Sequence, residues 1–163
     1  MNNIIYNSRN DEDYMGVALK EAEKAAEEGE IPVGAVIVYN NRVIGRAHNQ
    51  VELLKDATAH AEMIAITQAA SRRDDWRLED AALYVTKEPC PMCAGAILLC
   101  RLGKVVYGAP APRDGAAGTV IDILNNKNLD RSVEVIGGIR EDECRFLLRE
   151  FFQKLRYKEK LKK

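Results

Sequence analysis

A chain of 163 residues that is 47% apolar and 30% charged can bury a real core, which separates it from disordered and fibrous sequences. No run approaches the ~20 apolar residues of a membrane span, and four cysteines without a signal-like leader point to a reducing, cytoplasmic setting. A net charge of −1 argues against a surface that coats nucleic acid generally, yet residues 145–163 hold eight Lys or Arg against two Glu, about +6 against about −7 elsewhere.

Residues 1–12 lack periodicity and read as a loose N-terminal flank. From Asp13 to Glu28, Val17, Ala18, Ala22, Ala25 and Ala26 recur at helical spacing and stop at Gly29. Val33 to Val38 is a short apolar run rich in β-branched residues, as in a buried strand. Tyr39-Asn40-Asn41-Arg42 supplies a turn, and Val43 to Ala47 returns as the hairpin partner. A helix follows from His60 to Arg73, with Thr58 as its expected cap. Ala82 to Thr86 reads as a strand and Pro91 to Cys100 as a helix, with Cys90 at the N-cap and Pro91 at N1, where a missing N–H costs nothing. Lys104 to Tyr107 is a strand, Val120 to Leu124 a short helix, Ser132 to Ile136 a last strand and Glu141 to Tyr157 a closing helix. This order predicts one domain over 1–163, a sheet of about five strands covered by helices on both faces, with 158–163 as a basic tail.

The chemistry is concentrated in His60-Ala61-Glu62 and Pro89-Cys90-Pro91-Met92-Cys93. One imidazole and two thiolates are three ligands for Zn²⁺, and three protein ligands leave a fourth position for water, the catalytic arrangement. Coordinated water has a pKa of about 7. Glu62 sits two residues from His60, close enough to handle that water's proton outside the coordination shell. C-x-x-C alone is weak, since redox motifs and structural zinc sites share it. A structural site needs a fourth ligand, and His48, Cys100 and Cys144 form no second ligand pair. A redox dithiol needs no H-x-E partner. Both metal segments enter at predicted helix N-termini, whose positive ends lower thiolate pKa.

The pattern H-x-E…P-C-x-x-C is the signature of zinc-dependent nucleobase deaminases. The chain resembles the bacterial tRNA-specific adenosine deaminases of the cytidine deaminase superfamily through Ile31-Pro32-Val33-Gly34-Ala35-Val36, Ala47-His48-Asn49, Asp56 to Glu62, Glu88 to Ile97, Gly115-Ala116-Ala117-Gly118-Thr119 and Phe151-Phe152. The resemblance implies an α/β/α sandwich on a mixed sheet, with His60, Cys90 and Cys93 on zinc and Glu62 as the proton shuttle. It implies that Asn49 hydrogen-bonds the purine, with Ile31, Val33 and Ala61 also at the base, and that two copies form a homodimer. Two departures stand out. Ala111 takes the place of an aspartate the family usually carries, and Asp130-Arg131 replaces its usual Asn-His. Lys87, where the family more often has Leu, is a lesser one.

Two substrates stay open at this point: the wobble adenosine of a tRNA anticodon loop, or a free base or nucleoside of guanine, adenine or cytosine type. A non-catalytic RNA-binding scaffold is the third reading, and the intact Glu62 argues against it. For RNA, aromatic and cationic side chains suit single-stranded loops, where bases are stacked. Arg113, Arg131, Phe152, Lys154 and Arg156 are the candidate contacts, with Tyr157 beside them. At helical spacing Leu147, Leu148, Phe151 and Leu155 read as core. Cys100 and Cys144 read as small buried hydrophobes, His48 as a surface strand residue, and Trp76 as a loop residue.

Overall fold

A computed structural model describes residues 9–162. Its elements are α1 (Asp11–Glu27), β1 (Gly34–Tyr39), β2 (Arg42–His48), α2 (Val51–Leu54), α3 (Ala61–Arg73), β3 (Ala82–Lys87), α4 (Pro91–Leu99), β4 (Lys104–Ala109), β5 (Glu134–Ile136) and α5 (Glu141–Leu161). The strands form one sheet in the order β2-β1-β3-β4-β5. β1 runs antiparallel to β2 and β3, while β3, β4 and β5 are parallel, so the sheet is mixed as expected.

Strand alternation divides the core. Ala35, Ile37, Leu83, Val85 and Val105 face one side and pack against Ala61, Ala65 and Ala69 of α3 and Ala94 and Ile97 of α4. Val36, Val38, Tyr84 and Val106 face the other and meet Tyr14, Met15, Ala18 and Cys144 from α1 and α5. The result is the three-layer α/β/α sandwich. Alanines four residues apart let α3 lie close on the sheet, and Gly45 of β2 completes the fit, since a Cβ there would clash with the Ala65 carbonyl. That close approach sets the depth of His60 at the head of α3. The hairpin turn is made by Asn40 and Asn41, both at positive φ (48° and 59°), as a two-residue connection requires.

Several expectations are corrected. The flank is shorter than 1–12: residues 1–8 lie outside the described residues, but Asp11 and Glu12 begin α1, capped by Asn10 and Asp13 in a reciprocal capping box. α5 continues past Tyr157 through the basic segment to Leu161; Lys163 lies outside the described residues. Val120 to Leu124 is not helical. Val120 and Ile121 both turn their N–H groups back to the Gly115 carbonyl, Gly118 sits at φ 122°, and Ala117 bridges Asp122. Thr58 does not cap α3, because its hydroxyl is held by the nearer Asp56 carboxylate at 2.7 Å; His60 itself is the N-cap residue. His48 is no surface residue, since its ring nitrogens contact Glu21 Oε2 at 3.2 Å and Glu28 Oε2 at 2.9 Å. Leu155 is 42% exposed rather than core, and Phe151 is only half-buried. Cys100 and Cys144 are buried as expected, and Trp76 lies in the loop after α3. Among the described residues no helix is long and apolar enough to cross a membrane.

Candidate active site

The site lies beyond the carboxyl ends of the parallel strands β3 and β4, where open α/β sheets bind ligands. His60 and Cys90 both occupy N-cap positions in extended backbone, and neither side chain caps its helix. Cys93 is the third residue of α4 and Glu62 the second of α3. First-turn N–H groups of two helices therefore converge on one point.

His60 Nδ1 lies 3.6 Å from Cys90 Sγ and 3.5 Å from Cys93 Sγ. A tetrahedral zinc with Zn–S of about 2.3 Å and Zn–N of about 2.05 Å demands an N···S edge of about 3.6 Å. The triad fits the ion with almost no movement. It is the one group of three or more metal-type ligands among the described residues, and no fourth protein ligand joins it. Hydrogen bonding from Cys93 holds the Cys90 thiol down to about 4, with a further contribution from His60. The same hydrogen bond, with burial, pushes Cys93 up, and the Cys90 contact raises His60. The direction of the Cys90 shift favours the thiolate, the ligand form.

Glu62 is buried, and burial raises its carboxyl pKa, the direction useful in a general acid. The charge of a bound dication acts in the opposite sense.

The cavity over this centre measures about 540 Å³, within the ordinary range of small-ligand sites. Ile31, Val33 and Asn49 line it, as do His60, Glu62 and Cys90. Ala61 is fully buried in the core and does not line it. Phe152 does, meeting Phe151 edge-on with centroids 5.5 Å apart. Lys154 and Arg156 are exposed on α5, and Arg113 is exposed beside Asp114, all outside the lining. Arg131 sits elsewhere, in a cleft with Leu98, Arg101 and Gly103 at the far end of α4. Nine helical residues at 1.5 Å each put that end about 13 Å away from Cys90.

Sequence reasoning missed four carboxylates of the lining: Glu30, Glu52, Glu88 and Asp114. Glu88 is almost fully buried and accepts N–H groups from Ala111 at 2.9 Å, Ala117 at 3.0 Å and Thr119 at 3.1 Å. Burial alone would raise its pKa, but these hydrogen bonds outweigh it and hold the carboxyl below the usual range. The next residue back, Lys87, grips the same loop through Asp114 at 2.9 and 3.0 Å. Ala111 is itself buried. A charged residue two positions before a metal-type cysteine was the signal available for Glu88.

A mixed five-stranded sheet sandwiched by helices, with one His and two Cys at zinc spacing and a buried glutamate beside them, defines a zinc-dependent deaminase. Residues 8–109 match the model of the cytidine and deoxycytidylate deaminase zinc-binding region, and the chain belongs to that family. It is 50% identical over 150 residues to the tRNA-specific adenosine deaminase of Bacillus subtilis, covering 92% of this chain and 93% of the relative. A solved structure from work on A-to-I editing by tRNA:A34 deaminases at the wobble position of transfer RNA superposes with a TM-score of 0.80 at 40% identity, over 83% of this chain and 98% of that one. A guanine deaminase structure from Bacillus subtilis matches with a TM-score of 0.61 at 34% identity, over 77% and 83% of the two chains.

Proposed function

We propose that this protein hydrolyses adenosine to inosine at the wobble position of a tRNA anticodon loop, residues 1–163 acting as one domain. His60, Cys90 and Cys93 hold the zinc, and Glu62 moves the proton. The match to the Bacillus subtilis tRNA-specific adenosine deaminase across nine-tenths of both chains carries the reading toward tRNA. It weighs more than the lower identity to a guanine deaminase, which keeps the free-base reading as the alternative. A cytoplasmic homodimer belongs to the same reading, on the strength of the resemblance.

Zinc bound at this triad supplies an activated water of pKa about 7. The buried Glu62 would take a proton from the attacking water and deliver it to the purine N1. The same carboxylate would then move the proton of the new C6 hydroxyl to the 6-amino group, so that C6=O forms as the C6–N bond breaks and ammonia leaves. Asn49, with Ile31 and Val33 on the cavity wall, holds the purine edge while this happens. Phe151, Phe152 and Leu155 line the same cavity and offer apolar surface to flanking unstacked bases.

Ammonia release from an adenosine-containing anticodon stem-loop, set against free adenine, guanine, cytosine and their nucleosides, tests the substrate. Turnover of the stem-loop with little of any free base is expected. Rapid turnover of a free base by a protein that ignores the stem-loop at low salt would replace the tRNA reading with the alternative. Glu62→Ala should keep folding and zinc while losing at least about 10²-fold in kcat. A variant that loses its zinc would make Glu62 a ligand instead.

A further inference from the structure

Glu30 is 1% exposed and borders the cavity, yet nothing in the chemistry above uses it. Its position is set by the end of α1. Gly29 adopts φ 81°, its N–H meets the Ala26 carbonyl at 3.2 Å, and the Glu30 N–H returns to the Ala25 carbonyl at 2.8 Å. This pair of bonds is a Schellman motif, which leaves little freedom to the residue that follows the glycine. From there Glu30 Oε1 accepts the Leu53 N–H at 2.7 Å, and Glu30 Oε2 accepts Asn49 Nδ2 at 3.3 Å.

We propose that Glu30 is the positioning residue that fixes which way round the Asn49 amide meets the base. This rests on the reading of Asn49 as the purine contact. An amide carries two donors on nitrogen and an acceptor oxygen, and a free one turns over readily between the two arrangements. With Leu53 already donating to its other oxygen, the Glu30 carboxylate offers Asn49 only an acceptor. The flipped amide would set oxygen against oxygen in a buried place, so Nδ2 stays at Glu30. What remains for the ligand is one N–H and the carbonyl, in a single handed order. The Asn49 backbone is held as well, its N–H donating to the Val33 carbonyl at 3.0 Å. Leu53 ties the short helix α2, whose Val51 and Glu52 form part of the cavity wall, to the same carboxylate.

A double-mutant cycle with Glu30→Gln and Asn49→Ala tests this on the stem-loop. Gln keeps the shape and an acceptor for Leu53, but it then turns its NH2 toward Asn49, which favours the flipped amide with Oδ1 facing position 30. Glu30→Gln alone is expected to lower kcat/KM roughly tenfold, the scale of one misdirected hydrogen bond, with zinc content and Tm close to wild type. In the Asn49→Ala background the same change should have almost no further effect, because the group it acts through is gone. Equal losses in both backgrounds, or full activity in Glu30→Gln, would overturn the proposal. Full activity in Asn49→Ala would instead overturn the Asn49 contact, and this proposal with it. A readout free of turnover is the side-chain amide signal of Asn49 in ¹H–¹⁵N spectra, identified by its loss in Asn49→Ala. It should shift or split in Glu30→Gln, and an unchanged signal would also overturn the proposal.

Discussion

Glu88 Oε2 accepts the backbone N–H of Ala111 at 2.9 Å, so Ala111 is held by its main chain. The other Glu88 oxygen takes the N–H groups of Ala117 and Thr119. One carboxylate therefore ties both ends of the 111–119 loop to the segment that leads into Cys90. Gly115 lies so close to it that a Cβ there would clash with Glu88 Oε2.

Glu88→Ala should leave three N–H groups without their partner, the buried one of Ala111 at about 1–3 kcal/mol and the part-buried ones of Ala117 and Thr119 at less, since water reaches them. A clear drop in Tm is expected, with a rise in KM larger than any fall in zinc content. Thermal melts, metal analysis and kinetics on the same preparation check this; unchanged Tm and KM would mean that the loop holds itself.

The N···S distances at the triad lead to one zinc per chain. Cys90→Ala or Cys93→Ala should bring the metal content close to zero, while Cys100→Ala, buried behind α4, should leave it at one. Atomic absorption on purified, zinc-supplemented protein decides it. A Cys90→Ala protein with full metal would contradict the assignment.

If the substrate is a tRNA loop, cations outside the cavity must meet its phosphates, since the lining itself holds Glu30, Glu52, Glu62, Glu88 and Asp114 against Lys87. Neutralising Lys154, Arg156 and Lys158 on the exposed run of α5 should raise KM for the stem-loop and flatten its salt dependence. Each lost contact to a single strand removes about 0.7 from the slope of log K against log salt. An unchanged slope would move the contact elsewhere, with Arg113 the next to test. Arg131, at the far end of α4, should have little effect within one subunit.

Glu21 yields a prediction about acid stability. Burial alone would raise its pKa, but hydrogen bonds from Arg46, Lys24 and His48 more than offset this and leave it lowered. A lowered folded pKa means that the carboxylate's contribution is complete above the unfolded value of about 4.3 and is lost as pH falls through the folded one. Tm should therefore fall between about pH 5 and pH 3 more steeply in wild type than in Glu21→Gln, which lacks the titrating group. Parallel Tm curves for the two proteins would remove Glu21 from the account.

The zinc triad, Glu62 and the sheet were legible in the sequence because their signals are local. Ligand spacing, β-branched runs and alanine periodicity each depend on neighbours a few residues apart, and His60 and Cys90 announce themselves at helix starts. The Val120 to Leu124 segment misled for the same reason: its apolar residues suit a helix locally, but backbone bonds to Gly115 hold it as a turn. Thr58 obeyed a nearer competitor, Asp56. What only the tertiary structure decided is which polar groups meet across long separations. Glu30 reaches Asn49 across 19 residues, Glu88 reaches Thr119 across 31, and Arg131 is carried away from the cavity by the length of α4. A buried carboxylate must find donors wherever the packed chain supplies them, and no periodicity along the sequence records where those donors arrive.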